Sequence, residues 1–247
     1  MFRNERKDLL TKKKQERKDA TVNRELACLR HMLSKAVEWG MMEMNPFDKI
    51  QDLFFMENNA RLRFLNEDEI TKLIDVCRPH LRPMVICAIN TGMRKEELLS
   101  LRWEQIRDGF IYLTKTKSKK ARQIPVNGDL QELFISIKTR HIKGYVFCKL
   151  DGSRFIDING AFRSAVKKAK ITDFHFHDLR HTFASLMLLR GVAPKVISEA
   201  LGHASVAFTM DTYSHIIEGM QEEAMALLDE VLPPGVNGAR NKVTSPN

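Results

Sequence analysis

The sequence predicts a mainly α-helical protein with one small antiparallel β-sheet, an α+β fold. Two observations carry that prediction. Over most of the chain the apolar residues recur at helical spacing, as on the buried face of an amphipathic helix. Between Gly109 and Val126 the period drops to two: Gly109-Phe-Ile-Tyr-Leu-Thr114 and Arg122-Gln-Ile-Pro-Val126 read as short strands joined by a basic hairpin. A chain of 247 residues, 43% of them hydrophobic, suffices for one good core, or for one domain plus a smaller one.

Residues 2–18 are mostly charged, with Lys12-Lys13-Lys14 at their centre, and read as a solvated face or loose arm. A helix of about 20 residues follows, with Asp19 or Thr21 as its N-cap and Gly40 at its C-terminal end. Val22, Leu26, Leu29, Met32, Leu33, Ala36 and Val37 form its apolar stripe. Asn45-Pro46 marks a turn, and residues 51–62 a connector. Asn66 is placed to cap a helix with Glu69 reaching back to it, the reciprocal capping pattern. Leu81–Asn90 reads as a buried helix, broken by Thr91-Gly92, and Arg94–Leu101 opens another. After the two strands, helices are expected near 128–139, 157–170, 177–190, 193–201, 205–213 and 218–231, with a strand near Tyr145–Cys148. Residues 233–247 lack an apolar period and are expected to be disordered. The organisation expected is 1–57 as a helical N-terminal region, 58–232 as the main domain and 233–247 as a tail.

The net charge of +9 points to a polyanionic partner, with nucleic acid the commonest case. The apolar run Met84–Ile89 falls far short of the roughly 20 residues that span a bilayer, so no membrane partner is expected. The charged N-terminus has no secretory pattern. Cys28, Cys77, Cys87 and Cys148 show no regular spacing, and three of them read as small buried hydrophobes, which suggests a reducing, cytoplasmic setting. Met41, Met42 and the other methionines read as core filler.

Phe174-His-Phe-His-Asp-Leu-Arg-His-Thr-Phe183 concentrates three histidines, an arginine and an aspartate in ten residues. His177 and His181, four apart, superficially imitate a helical zinc pair. The acid between them is the short Asp178, Arg180 would set a permanent cation beside the metal, and no third ligand follows at short spacing. His177 and Arg180, three apart, suit a phosphate clamp instead. Arg94 lies just after a glycine break at a helix start, where backbone N–H groups and the helix dipole already favour an anion. Its planar fork of donors matches phosphate oxygens, and Glu97 is placed to hold it. Leu201-Gly-His203 is followed ten residues later by Tyr213, one of only three tyrosines.

Taken in order, Thr-Gly-Met-Arg94-x-x-Glu97-Leu, His177-x-Leu-Arg180-His-Thr-Phe-Ala, Leu-Gly-His203 and Tyr213 resemble the tyrosine recombinases, the phage-integrase family. The resemblance spans residues 20 to 232. It implies that fold, and a site-specific DNA strand transferase in which Tyr213 attacks a phosphodiester and forms a 3′-phosphotyrosine. Arg94 and Arg180 would clamp the phosphate, His177 and His203 would hydrogen-bond it and move protons, and neither metal, ATP nor other cofactor would be needed. The family protonates the leaving 5′-oxygen with a hairpin lysine. Counting back from Pro125 points to Lys117, whereas matching the Thr-Lys-Thr start points to Lys115. Lys115, Lys119, Lys120 and Arg122 would then neutralise DNA phosphates or support the site. His181 and His175 match no catalytic position: His181 is expected to pack or hydrogen-bond behind the site, His175 to be structural, and His215 to orient the Tyr213 helix.

A full family member carries an N-terminal core-binding domain, whereas about 60 residues precede the catalytic unit here, so a partial one is expected. The resemblance implies double-stranded DNA as partner and a homotetramer on DNA, with residues 218–231 docking in a neighbour or folding back. Free of DNA, a monomer or weak dimer is expected. Two rivals remain at this point: a non-catalytic DNA-binding relic, and a type IB topoisomerase using the same Tyr/Arg/Lys/His chemistry.

Overall fold

The computed structural model describes residues 2–8, 17–56, 62–114, 121–138, 144–214 and 216–217. The chain divides into two compact units, 1–61 and 62–247. The expected helix at 218–231, the tail at 233–247, His215 and hairpin residues 115–120 lie outside the described residues.

In the first unit, α1 (Phe2–Asp8) lies beside α2 (Asp19–Glu38). Glu25 on α2 accepts from both Arg6 and Arg17, and those guanidiniums hold its carboxyl below the usual range. The Asn23 side chain clamps the Phe55 backbone in both directions, with Nδ2 donating to its carbonyl at 2.9 Å and Oδ1 accepting its N–H at 2.8 Å. The α2 N-cap is Lys18 rather than Asp19 or Thr21: Asp19 is already helical, where its charge favours the positive helix end. Val22 and Leu26 are buried, but Met32 is exposed, so the apolar stripe is covered only towards its start. Met41 is 74% exposed and not core filler, and Cys28 is exposed. Asn45-Pro46 opens a short 3-10 helix, Pro46–Lys49, in which the Asn45 side chain accepts from the Phe47 N–H.

The second unit is built around α4 (Arg82–Thr91), which packs on α3 (Glu67–Val76), α5 (Lys95–Leu99), α6 (Gly128–Lys138) and α8 (Asp178–Leu189). Met84, Val85, Cys87 and Ala88 fill its buried faces. Asn66 and Glu69 cap α3 reciprocally, each carboxamide or carboxylate oxygen accepting the other residue's backbone N–H. The remaining helices are α7 (Asn159–Lys168), α9 (Pro194–Leu201) and α10 (Val206–Thr212).

The sheet has three strands, not two, in the order β1 (Ile106–Arg107), β2 (Phe110–Leu113), β3 (Arg122–Pro125), all antiparallel. Gly109 does not begin a strand: Asp108 and Gly109 both have positive φ and form the two-residue turn joining β1 to β2, as Asp-Gly pairs favour. Pro125 sits on β3, where its missing N–H leaves no gap in the ladder to β2 at an edge strand. The strand expected near Tyr145–Cys148 is instead two isolated bridges, Arg102 to Tyr145 and Cys148 to Arg154. Among the described residues, no helix is long and apolar enough to cross a membrane.

Candidate active site

Two helix ends meet beside α8. At the first, α4 terminates in Gly92, whose φ of +61° is left-handed. A Cβ there would stand 2.5 Å from Leu201 and 2.6 Å from Phe183, so glycine is required by both conformation and space. At the second, α9 ends in Gly202, also left-handed at φ +66°, with Arg122 3.0 Å from where its Cβ would be. Each turn delivers one candidate residue: Arg94 follows Gly92, and His203 follows Gly202.

Arg180, in the first turn of α8, joins the two ends. One terminal nitrogen donates to the Gly92 carbonyl at 2.8 Å and the other to the Leu201 carbonyl at 2.7 Å. Both are carbonyls at helix C-termini, where orphan acceptors and the negative dipole end favour a cation. Arg180 is only 4% exposed. Burial, then the neighbouring Arg94 and Arg122, push it down to about 9, which leaves it a cation at neutral pH.

Arg94 is the N-cap of α5. Its backbone N–H donates to Glu97 at 2.9 Å, and its guanidinium reaches the same carboxylate at 3.1 Å and the Gly202 carbonyl at 3.4 Å. Both arginines therefore touch the Leu201–His203 turn. Glu97 has a second guanidinium, because Arg122 donates to it twice, at 3.1 and 2.7 Å, and to the Ala200 carbonyl at 2.9 Å. Burial alone would raise the Glu97 carboxyl, but these hydrogen bonds and charges hold it below the usual range. Arg122 was expected beside the hairpin lysines as a DNA-binding or supporting residue. Its side chain is only 6% exposed and turned inwards, where it supports Glu97 rather than a solvent face. Period-two alternation carries the signal: Arg122 shares the inward face of β3 with Ile124. Arg94 and Arg122 share the Glu97 carboxylate and Arg180 lies close to both, which leaves the cleft strongly positive.

His203 is held by Thr209, a buried residue of α10, whose hydroxyl lies 2.7 Å from Nδ1. Burial, then Arg180 and Arg94, push His203 down to about 4, so it is neutral at pH 7. His177 immediately precedes α8, and burial followed by Arg180 lowers it as well, against Asp178. Asp178 also accepts the His175 N–H at 2.8 Å, closing the turn into α8.

Tyr213 ends α10 and is 1% exposed. Burial raises its hydroxyl to about 12, with Arg180 opposing. His181 Nδ1 lies 3.0 Å from that hydroxyl. The rings of His177 and His181 meet edge to face at 5.4 Å, four residues apart on one helix face. The fold thus brings Arg94, Glu97, Arg122, His177, Arg180, His181, His203 and Tyr213 together, while Lys115, Lys117, Lys119 and Lys120 lie outside the described residues. Among the described residues, no three His, Cys, Asp or Glu side chains are grouped to hold a metal ion.

Residues 63–219 match the model of the phage integrase family. The chain belongs to the phage integrase family. The integrase of Salmonella phage P22 is 30% identical over 83% of the chain, and that of Haemophilus phage HP1 is 34% identical over 84%. These alignments take in 57% and 59% of the relatives, so the chain spans somewhat over half the length of the integrases it matches. The catalytic domain of the HP1 integrase superposes with a TM-score of 0.54 at 32% identity, covering 67% of this chain and 95% of that one. A λ integrase dimer bound to a core site superposes at 0.66 and 20% identity, over 78% of this chain and 59% of that one, a likeness of fold. This phage-integrase chain therefore has the mostly helical catalytic fold with a small antiparallel sheet.

Proposed function

We propose that this integrase-family chain cleaves and rejoins double-stranded DNA as a site-specific recombinase, with Tyr213 forming a 3′-phosphotyrosine. The observation that supports this reading most is the suspension of Arg180 between the Gly92 and Leu201 carbonyls, beside Arg94, His203 and Tyr213. Such a cradle suits a phosphodiester. Fixed guanidiniums accept the charge that develops on the non-bridging oxygens, with no reorganisation at the moment of reaction. In phosphoryl transfer the protein's task is positioning and charge stabilisation, which here falls to Arg94 and Arg180 without metal or ATP. Neutral His177 and His203 hydrogen-bond the phosphate, and Lys117, or Lys115 in the alternative register, protonates the leaving 5′-oxygen.

Residues 58–232 would form the catalytic domain and 1–57 a partial core-binding region, with a homotetramer assembling on DNA. A λ integrase structure of the same fold is a tetramer bound to a Holliday junction, which is consistent with that assembly. The test uses nicked duplexes of randomised sequence, in which loss of the short 5′-hydroxyl strand traps the covalent adduct. Adduct should form equally in EDTA. Strict dependence on an added divalent metal would contradict the metal-free mechanism.

A further inference from the structure

A buried tyrosine with its hydroxyl raised to about 12 is a poor nucleophile at neutral pH unless something takes its proton. Arg94 and Arg180 are permanent cations and remove no protons. His203 Nδ1 is engaged by Thr209. The described neighbour in contact with the Tyr213 hydroxyl is His181, through Nδ1 at 3.0 Å. A buried phenol O–H requires an acceptor, and an imidazole nitrogen is one. The placement is built into the helix: Arg180 faces the two helix-end carbonyls, and the next residue carries its ring to Tyr213, 5.9 Å between centroids.

We infer that His181 is the general base for Tyr213, a catalytic residue in direct contact with the attacking atom. The inference rests on the phosphotyrosine reading above. In cleavage the Tyr213 O–H bond breaks and its proton passes to His181 Nδ1. The phenolic oxygen bonds to phosphorus, and the P–O5′ bond breaks as the 5′-oxygen takes a proton from the hairpin lysine. In rejoining, the 5′-hydroxyl oxygen attacks phosphorus and its proton passes to the hairpin lysine left neutral by cleavage, while the P–O bond to Tyr213 breaks and His181 returns its proton to the tyrosyl oxygen.

Single-turnover adduct formation at saturating DNA tests this with the full chain, on duplexes selected by the trapping above. His181→Asn keeps a hydrogen-bonding atom near the Nδ1 position but offers no basic nitrogen, and His181→Phe offers neither. Both should slow cleavage by about 10²-fold or more, the scale of general-base catalysis, with DNA affinity unchanged as the check of folding. A substrate with sulfur in place of the bridging 5′-oxygen separates the two ends of the reaction, because a thiolate leaves without a proton. A variant lacking the general acid recovers on it, whereas both His181 variants should stay slow. Wild-type rate in His181→Asn, or recovery of either His181 variant on the sulfur substrate, overturns the inference. No adduct with wild type, or an undiminished one with Tyr213→Phe, overturns the phosphotyrosine reading itself.

Discussion

At the scale of single residues, the cleft is a cluster of cations kept in place by few acceptors. Arg122 bears more of that than its place beside a lysine-rich hairpin suggests. Removing one partner of a buried ion pair costs roughly 3 kcal/mol, and here Arg94 would remain as the one guanidinium paired with Glu97. Arg122→Met should therefore lower the melting temperature by about 6–12 °C for a domain of this size. Adding Glu97→Met should recover part of that stability, while cleavage stays low because Arg94 has lost its anchor. A double variant no more stable than the single one would show that the pair is not coupled. His203 yields a pH prediction. Its folded value of about 4 lies below the ordinary 6.5, so between these values the unfolded chain binds the extra proton. Stability should fall as pH drops from 7 towards 4, with His177 acting in the same direction. His203→Gln should flatten that slope in thermal melts, and an unchanged slope would place the titration elsewhere. Glu97, being lowered, loses its contribution only once pH falls through the carboxylate range below.

At the scale of elements, the site brings together the C-termini of α4, α9 and α10 and the N-termini of α5 and α8, and the glycines make that approach possible. Gly92→Ala sets a Cβ into Leu201 and Phe183 at a left-handed position. It should cost about 2 kcal/mol or more, and reduce cleavage even where circular dichroism reports a folded chain, since Arg94 and the Gly92 carbonyl both shift. Full activity in Gly92→Ala would mean that the turn does not set the cradle. Helix positions were legible in the sequence because caps and apolar periods are local: Asn66 with Glu69, and the Thr91-Gly92 break, stand where those rules put them. The two-residue strand β1 was not, since it is too short to show alternation and is defined by its pairing with β2. Nor was the bridge-only segment at Tyr145–Cys148, where an apolar run looks like a strand until its hydrogen-bond partners are known. The site residues were nameable from their order, and alternation on β3 turns Arg122 inward, but the contact of His181 with Tyr213, 32 residues away, and that of Arg122 with Glu97, 25 residues away, are tertiary facts.

At the scale of the whole molecule, a net charge of +9 and a cleft with excess guanidiniums suit a DNA backbone. Charge of this kind promotes binding without sequence discrimination, so it supports a non-catalytic DNA binder as readily as an enzyme. What separates the two is whether Tyr213 becomes covalently attached. The direct measurement is to trap the adduct on nicked duplex, digest protein and DNA, and locate the nucleotide by mass spectrometry. A nucleotide 3′-phosphate should be found on the peptide carrying Tyr213, with no adduct from Tyr213→Phe. Attachment at another residue, or an adduct that survives Tyr213→Phe, would contradict it.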